Sequence, residues 1–72
     1  MTTTEREILD TLKELETAAA RMLEAQPKPD LRPLFTRLEA LAKELPPGTD
    51  PQLLHFLHRK SYQKARVFLE QH

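Results

Sequence analysis

The sequence predicts an all-α chain: a small three-helix bundle, up-down-up, with Pro-rich turns. Apolar residues recur at alternating three- and four-residue steps in three stretches, and no segment shows the period-two alternation of a half-buried strand. The stretches are parted by Gln26-Pro27-Lys28-Pro29 and by Pro46-Pro47-Gly48-Thr49. Helices are therefore expected over about residues 4–25, 31–45 and 51–71 of a single 72-residue domain. Short connections favour antiparallel neighbours, which is the reason for the up-down-up order.

Helix 1 is expected to begin at Thr4, because Thr4 and Glu7 have the spacing of a capping box. Ile8, Leu12, Leu15, Ala19 and Met22 then form a stripe that Leu9 and Leu23 widen, while Asp10, Lys13, Glu14, Thr17, Arg21 and Glu24 fall opposite. Ala18, Ala19 and Ala20 give the helix a slim waist where a neighbour is expected to approach closely. Pro27 and Pro29 end it, since each disfavours a helical residue before it and lacks an amide.

Asp30 is placed to cap helix 2, and Pro33 falls in its first turn, where a missing N–H costs little. Leu31, Leu34, Leu38, Leu41 and Leu45 follow at steps of three and four, with Phe35 and Ala42 beside them. The only Gly of the chain stands at Gly48, consistent with a tight reversal into helix 3.

Asp50-Pro51 starts helix 3: Asp50 is pushed towards an extended conformation, its carboxylate faces the free amides, and Pro51 has no amide to lose. No Gly or Pro follows, so one helix of about twenty residues is expected. At about 100° per residue, Leu54, Leu57, Ser61, Ala65 and Phe68 share one face, which reads as core, with the Ser61 hydroxyl bonded to the Leu57 carbonyl. Leu53, Phe56 and Val67 flank that face on one side, and His58, Tyr62 and Leu69 on the other. The apolar arc spans about two thirds of the circumference, wider than a surface helix needs. A flank left uncovered by helices 1 and 2 would be a docking patch, and the candidate partner-binding residues are Phe56, Tyr62, Val67 and Leu69.

Charge supplies the second candidate. The chain holds eleven basic and eleven acidic residues, which argues against binding driven by whole-molecule attraction to nucleic acid or to an anionic membrane. The neutral sum hides a gradient: residues 1–26 carry six acids and three bases, residues 51–72 one acid and four bases. Arg59, Lys60, Lys64 and Arg66 are the candidate nucleic-acid contacts. Their directions form a belt rather than one stripe, and the five-residue turn before helix 3 is long for a helix-turn-helix. Glu16 borders the stripe of helix 1 and is expected to pair with Lys64 or Lys60 across the seam with helix 3.

Several classes are excluded. Without Cys there is no thiol chemistry, disulfide or cysteine metal site. His55 and His58 stand three apart, but the remaining His is terminal, so neither a metal nor a cofactor is expected. No glycine-rich phosphate loop or activated nucleophile is present, and the chain is short for a deep pocket, so no enzyme and no small-molecule substrate are expected. The N-terminus has acids where a signal peptide needs a basic start, and no apolar run exceeds three residues. A cytoplasmic location off the membrane is the corresponding expectation. The sequence thus points to a non-enzymatic interaction module that binds a protein partner, or itself as a homodimer, through helix 3. The alternative is a small DNA- or RNA-binding protein.

Overall fold

The computed structural model describes residues 2–22, 24 and 30–71. Among them are four helices, α1 (Thr3–Arg21), α2 (Arg32–Glu44), α3 (Pro51–His58) and α4 (Tyr62–Glu70). The all-α expectation holds, whereas the three-helix count does not, because the expected third helix is divided at residues 59–61.

α1 starts two residues earlier than the Thr4/Glu7 spacing suggested. Its capping box is Thr2 with Glu5: the Glu5 N–H donates to the Thr2 hydroxyl at 3.1 Å, and the Thr2 N–H donates to the Glu5 carboxylate at 3.3 Å. Three threonines in a row offered several registers, and the box with both bonds is the one formed. Ile8, Leu9, Leu12 and Leu15 are buried, and Thr11 is buried with them. Its hydroxyl donates to the Glu7 carbonyl one turn back at 2.8 Å, so the helix itself satisfies the one polar side chain in this stretch of core. The close approach expected at the alanine waist is not seen among the described residues: Ala19 and Ala20 are exposed and Ala18 is half-buried. α1 has 19 residues against 13 in α2 and nine in α4, and its buried positions all lie before Glu16. The Pro27/Pro29 connector and Leu23 lie outside the described residues.

α2 follows the expected pattern, with Leu38 and Leu41 buried and Leu34, Phe35 and Ala42 half-buried beside them. Asp30 serves its first turn from one residue before the N-cap position, which is Leu31. The Asp30 carboxylate accepts from the Arg32 N–H at 3.0 Å and from the Arg32 guanidinium, and those bonds hold its pKa below the ordinary carboxylate value. The turn into α3 does not use the freedom of Gly48. No glycine has a positive φ, and a Cβ at Gly48 would meet nothing within 4 Å.

Asp50 caps α3 by accepting from the Gln52 N–H at 2.8 Å, with Pro51 at the first helical position. After His58 the chain turns through Lys60, the only described non-glycine residue with a positive φ, at 59°. The Ser61 N–H donates to the Phe56 carbonyl at 2.8 Å and the Lys60 N–H to the Leu57 carbonyl at 3.2 Å. These are the two bonds of a Schellman cap, with lysine in the left-handed position that glycine usually takes. Ser61 then becomes the N-cap of α4 with no side-chain capping bond, outside the helix interior in which its hydroxyl was expected to bond back to Leu57.

The physical reason for the break is the phase of the core residues. Leu53, Leu57, Ala65 and Leu69 are all buried. In one straight helix the Leu53/Leu57 pair would lie roughly 120° around the axis from the Ala65/Leu69 pair, at about 100° per residue. One straight helix cannot turn both pairs into one core; two short helices joined by a corner do. The wide apolar arc read from the sequence is therefore two ordinary stripes on two helices. Leu54, expected in the core, is instead 38% exposed.

Candidate functional site

The four candidate partner residues meet different fates. Leu69 is 0% exposed, a core residue withdrawn from any partner as long as the fold is closed. Tyr62 is half-buried and stacks on Phe35 of α2 with ring centroids 5.9 Å apart. Phe56 is half-buried and meets Phe68 edge to face at 6.3 Å. Val67 is 39% exposed. Two of the four thus pack between helices, Phe56 from α3 to α4 and Tyr62 from α4 to α2, and of the four Val67 alone is an open apolar side chain.

Two hollows flank α3. The larger, about 670 Å³, opens between α2 and α3, where Leu38, Ala42, Leu54 and Leu57 make an apolar floor and Tyr62 joins the lining. Lys43 stands on its α2 side, His55, His58 and Lys60 stand on the other, and Glu39 is the one carboxylate on the lining. Burial first, and Glu39 second, raise the Tyr62 hydroxyl above its ordinary pKa of 10.0, so the phenol stays protonated at neutral pH. The smaller hollow, about 480 Å³, lies between α3 and α4 and is lined by Phe56, Val67 and Phe68 with Gln52, Gln63, Lys64 and Gln71 around them.

The basic belt is split. Arg66, one of the candidate nucleic-acid contacts, is drawn across to α1, where its Nε donates to the Glu16 carboxylate at 2.7 Å, and a second bond reaches Glu70 on its own helix. Glu16, and after it Glu70, hold the guanidinium pKa above its usual value. Glu16 therefore has a partner across the seam, but it is Arg66 and neither Lys64 nor Lys60. A planar fork matches a carboxylate that a lysine would meet as a point charge, which favours arginine here. Arg59, Lys60 and Lys64 are exposed and carry no ion pair among the described residues.

His55 and His58 are both exposed and line the larger hollow. Among the described residues no three His, Cys, Asp or Glu side chains are placed to share a metal ion, and no helix is long and apolar enough to cross a membrane. Set against known protein families, curated proteins and solved structures, the chain matches none of them.

The signal that sequence reasoning missed is Leu54. At about 100° per residue it shares a face with Leu57 if the helix runs straight, and that made it core. Once α3 ends at His58 the core takes Leu53 and Leu57, and Leu54 turns to the groove.

Proposed function

We propose that the chain is a non-enzymatic interaction module whose α2–α3 groove receives an amphipathic helix with acidic flanks from a protein partner. The observation that supports this reading is the composition of the groove: an apolar floor with an exposed Leu54 set among Lys43, Lys60, His55 and His58. A helix laid in a groove places side chains at steps of three and four on such a floor, and acids beside them meet the basic rim. The groove is open rather than enclosed, which suits a peptide helix better than a small molecule held by convergent polar groups.

The test is a titration of the isotope-labelled chain with a synthetic helical peptide bearing leucines at three- and four-residue steps and glutamates on both sides. Amide shifts are expected at Leu38, Ala42, Leu54 and Tyr62, and Leu54→Asp is expected to abolish them while the other amides keep their positions. Shifts scattered over the surface, or an undiminished response in Leu54→Asp, would contradict the proposal.

The nucleic-acid reading keeps one supporting observation. The turn at residues 59–61 is three residues long, the length a helix-turn-helix uses, and Arg59, Lys60 and Lys64 surround it. Against it stand the neutral total charge and the engagement of Arg66 by two carboxylates. Fluorescence anisotropy with random duplex at low salt separates the readings: the groove proposal expects no binding at tens of micromolar, a range in which non-specific phosphate contacts register.

A further inference from the structure

We propose that two copies of this chain exchange α4, with residues 51–70 straightened into one helix that bridges two cores. The proposal does not rest on the groove or its occupant. It rests on the corner at residues 59–61 and on what the corner reconciles.

Two of the three corner residues would rather be helical. Arg59 and Lys60 are good helix formers, and no Gly or Pro stands anywhere from Gln52 to Gln71. The turn nevertheless holds Lys60 at φ 59°, a conformation that costs an L-residue and costs glycine nothing. Straightening removes that strain and replaces the two Schellman bonds with ordinary helical ones. Short, strained hinges between two packed elements are where exchange of an element between copies is favoured.

Within one copy the straight form is blocked, since the Leu53/Leu57 and Ala65/Leu69 pairs would then face directions roughly 120° apart. Between two copies the same divergence becomes the solution. The first half of the straight helix keeps Leu53 and Leu57 in its own core, and the second half delivers Ala65 and Leu69 to the other. The contacts that seat α4 are all available from the second copy: Glu16 for Arg66, Phe35 for Tyr62 and Phe56 for Phe68. Only the hinge changes, and the core of each half of the dimer has the same composition as the core of the monomer.

Gln52 and Gln71 give a direct reading of the hinge. Both line the hollow between α3 and α4 in the closed chain, so they lie on one side of the corner facing the same space. In a straight helix nineteen residue steps would separate them by about 28 Å. The chain contains no Cys, so Gln52→Cys with Gln71→Cys gives two unique labelling positions, both exposed.

The experiment is size exclusion with light scattering up to millimolar chain, followed by pulsed dipolar spectroscopy of the dimer fraction. The doubly spin-labelled chain is diluted into excess unlabelled chain, so that the distance read is within one copy. The proposal expects a dimer in which the labels stand at about 28 Å plus their linkers, and a monomer with a distinctly shorter distance. Lys60→Gly favours the corner and disfavours the straight helix at both hinges, so it is expected to raise the dimer dissociation constant by about a hundredfold, roughly tenfold per hinge. A chain that stays monomeric at millimolar concentration, or a dimer that keeps the short distance, would overturn the proposal.

Discussion

The two turns that flank α3 are opposites. The one before it, Pro46-Pro47-Gly48-Thr49, carries the Pro and Gly that punctuate a sequence most strongly, yet its glycine takes no positive φ and has open space around it. The one after it, Arg59-Lys60-Ser61, carries neither Pro nor Gly and holds the one described left-handed residue that is not glycine. The first turn is written in local chemistry, since two prolines suffice to stop α2. The second is imposed from a distance, by the need to bring Leu53, Leu57, Ala65 and Leu69 into one core. Tertiary packing overrides local propensity wherever its stake is larger, and here several buried side chains weigh against about 1–2 kcal/mol of backbone strain.

The largest test of this contrast removes the stake. Leu53→Ala and Leu69→Ala each delete a fully buried side chain and are expected to cost about 2–5 kcal/mol in urea unfolding. Their neighbours Leu54→Ala and Val67→Ala, at 38% and 39% exposure, are expected to change stability by about 0.5 kcal/mol or less. Equal costs for all four would mean that the corner does not select a core face.

A smaller test exchanges the roles of the two turns. Lys60→Gly relieves the strained position and is expected to stabilise the monomer by about 0.5–1 kcal/mol. Gly48→Ala is expected to stabilise by about 0.4–1 kcal/mol, because the site needs no left-handed residue and alanine restricts the unfolded chain. Thermal and urea unfolding at low micromolar chain, where a dimer contributes least, measure both. A loss of stability in either would show that the wrong turn has been credited with strain.

The smallest effect concerns Tyr62, which joins α4 to α2 beside the second turn. Burial, then Glu39, raise its pKa in the folded chain above the ordinary 10.0. The unfolded chain therefore ionises first as pH rises past about 10, so the folded state loses stability from there until its own tyrosine ionises. Tyr62 is the only tyrosine, so a phenolate absorbance titration reads it alone, with a midpoint expected above that of the urea-unfolded chain. Tyr62→Phe is expected to flatten the wild-type excess of alkaline destabilisation.

The same contrast explains how far the sequence could be read. The apolar stripes of α1 and α2 and the Asp50-Pro51 cap were legible because each is a local pattern whose chemistry lies within a turn or two. The division of the third helix was not legible. It depends on which of two overlapping faces meets α1 and α2, and residues 51–71 carry enough leucine and phenylalanine to satisfy either. The expected surroundings of Leu54, Leu69 and Arg66 inherited that error, while Val67, Arg59, Lys60 and Lys64 are exposed as expected. Leu69 reads as a partner contact and Leu54 as core in the sequence, whereas Leu69 is 0% and Leu54 38% exposed. Arg66 reads as a nucleic-acid contact in the sequence, whereas α4 turns it onto Glu16.

The central claim is that the chain of residues 51–70 is broken at Lys60 in the monomer. Backbone chemical shifts of the isotope-labelled chain at micromolar concentration test it most directly. The account predicts helical carbon shifts over 51–58 and 62–70, an interruption at Arg59–Ser61, and a left-handed signature at Lys60. Helical shifts running without interruption from Pro51 to Glu70 in a monomeric sample would contradict it.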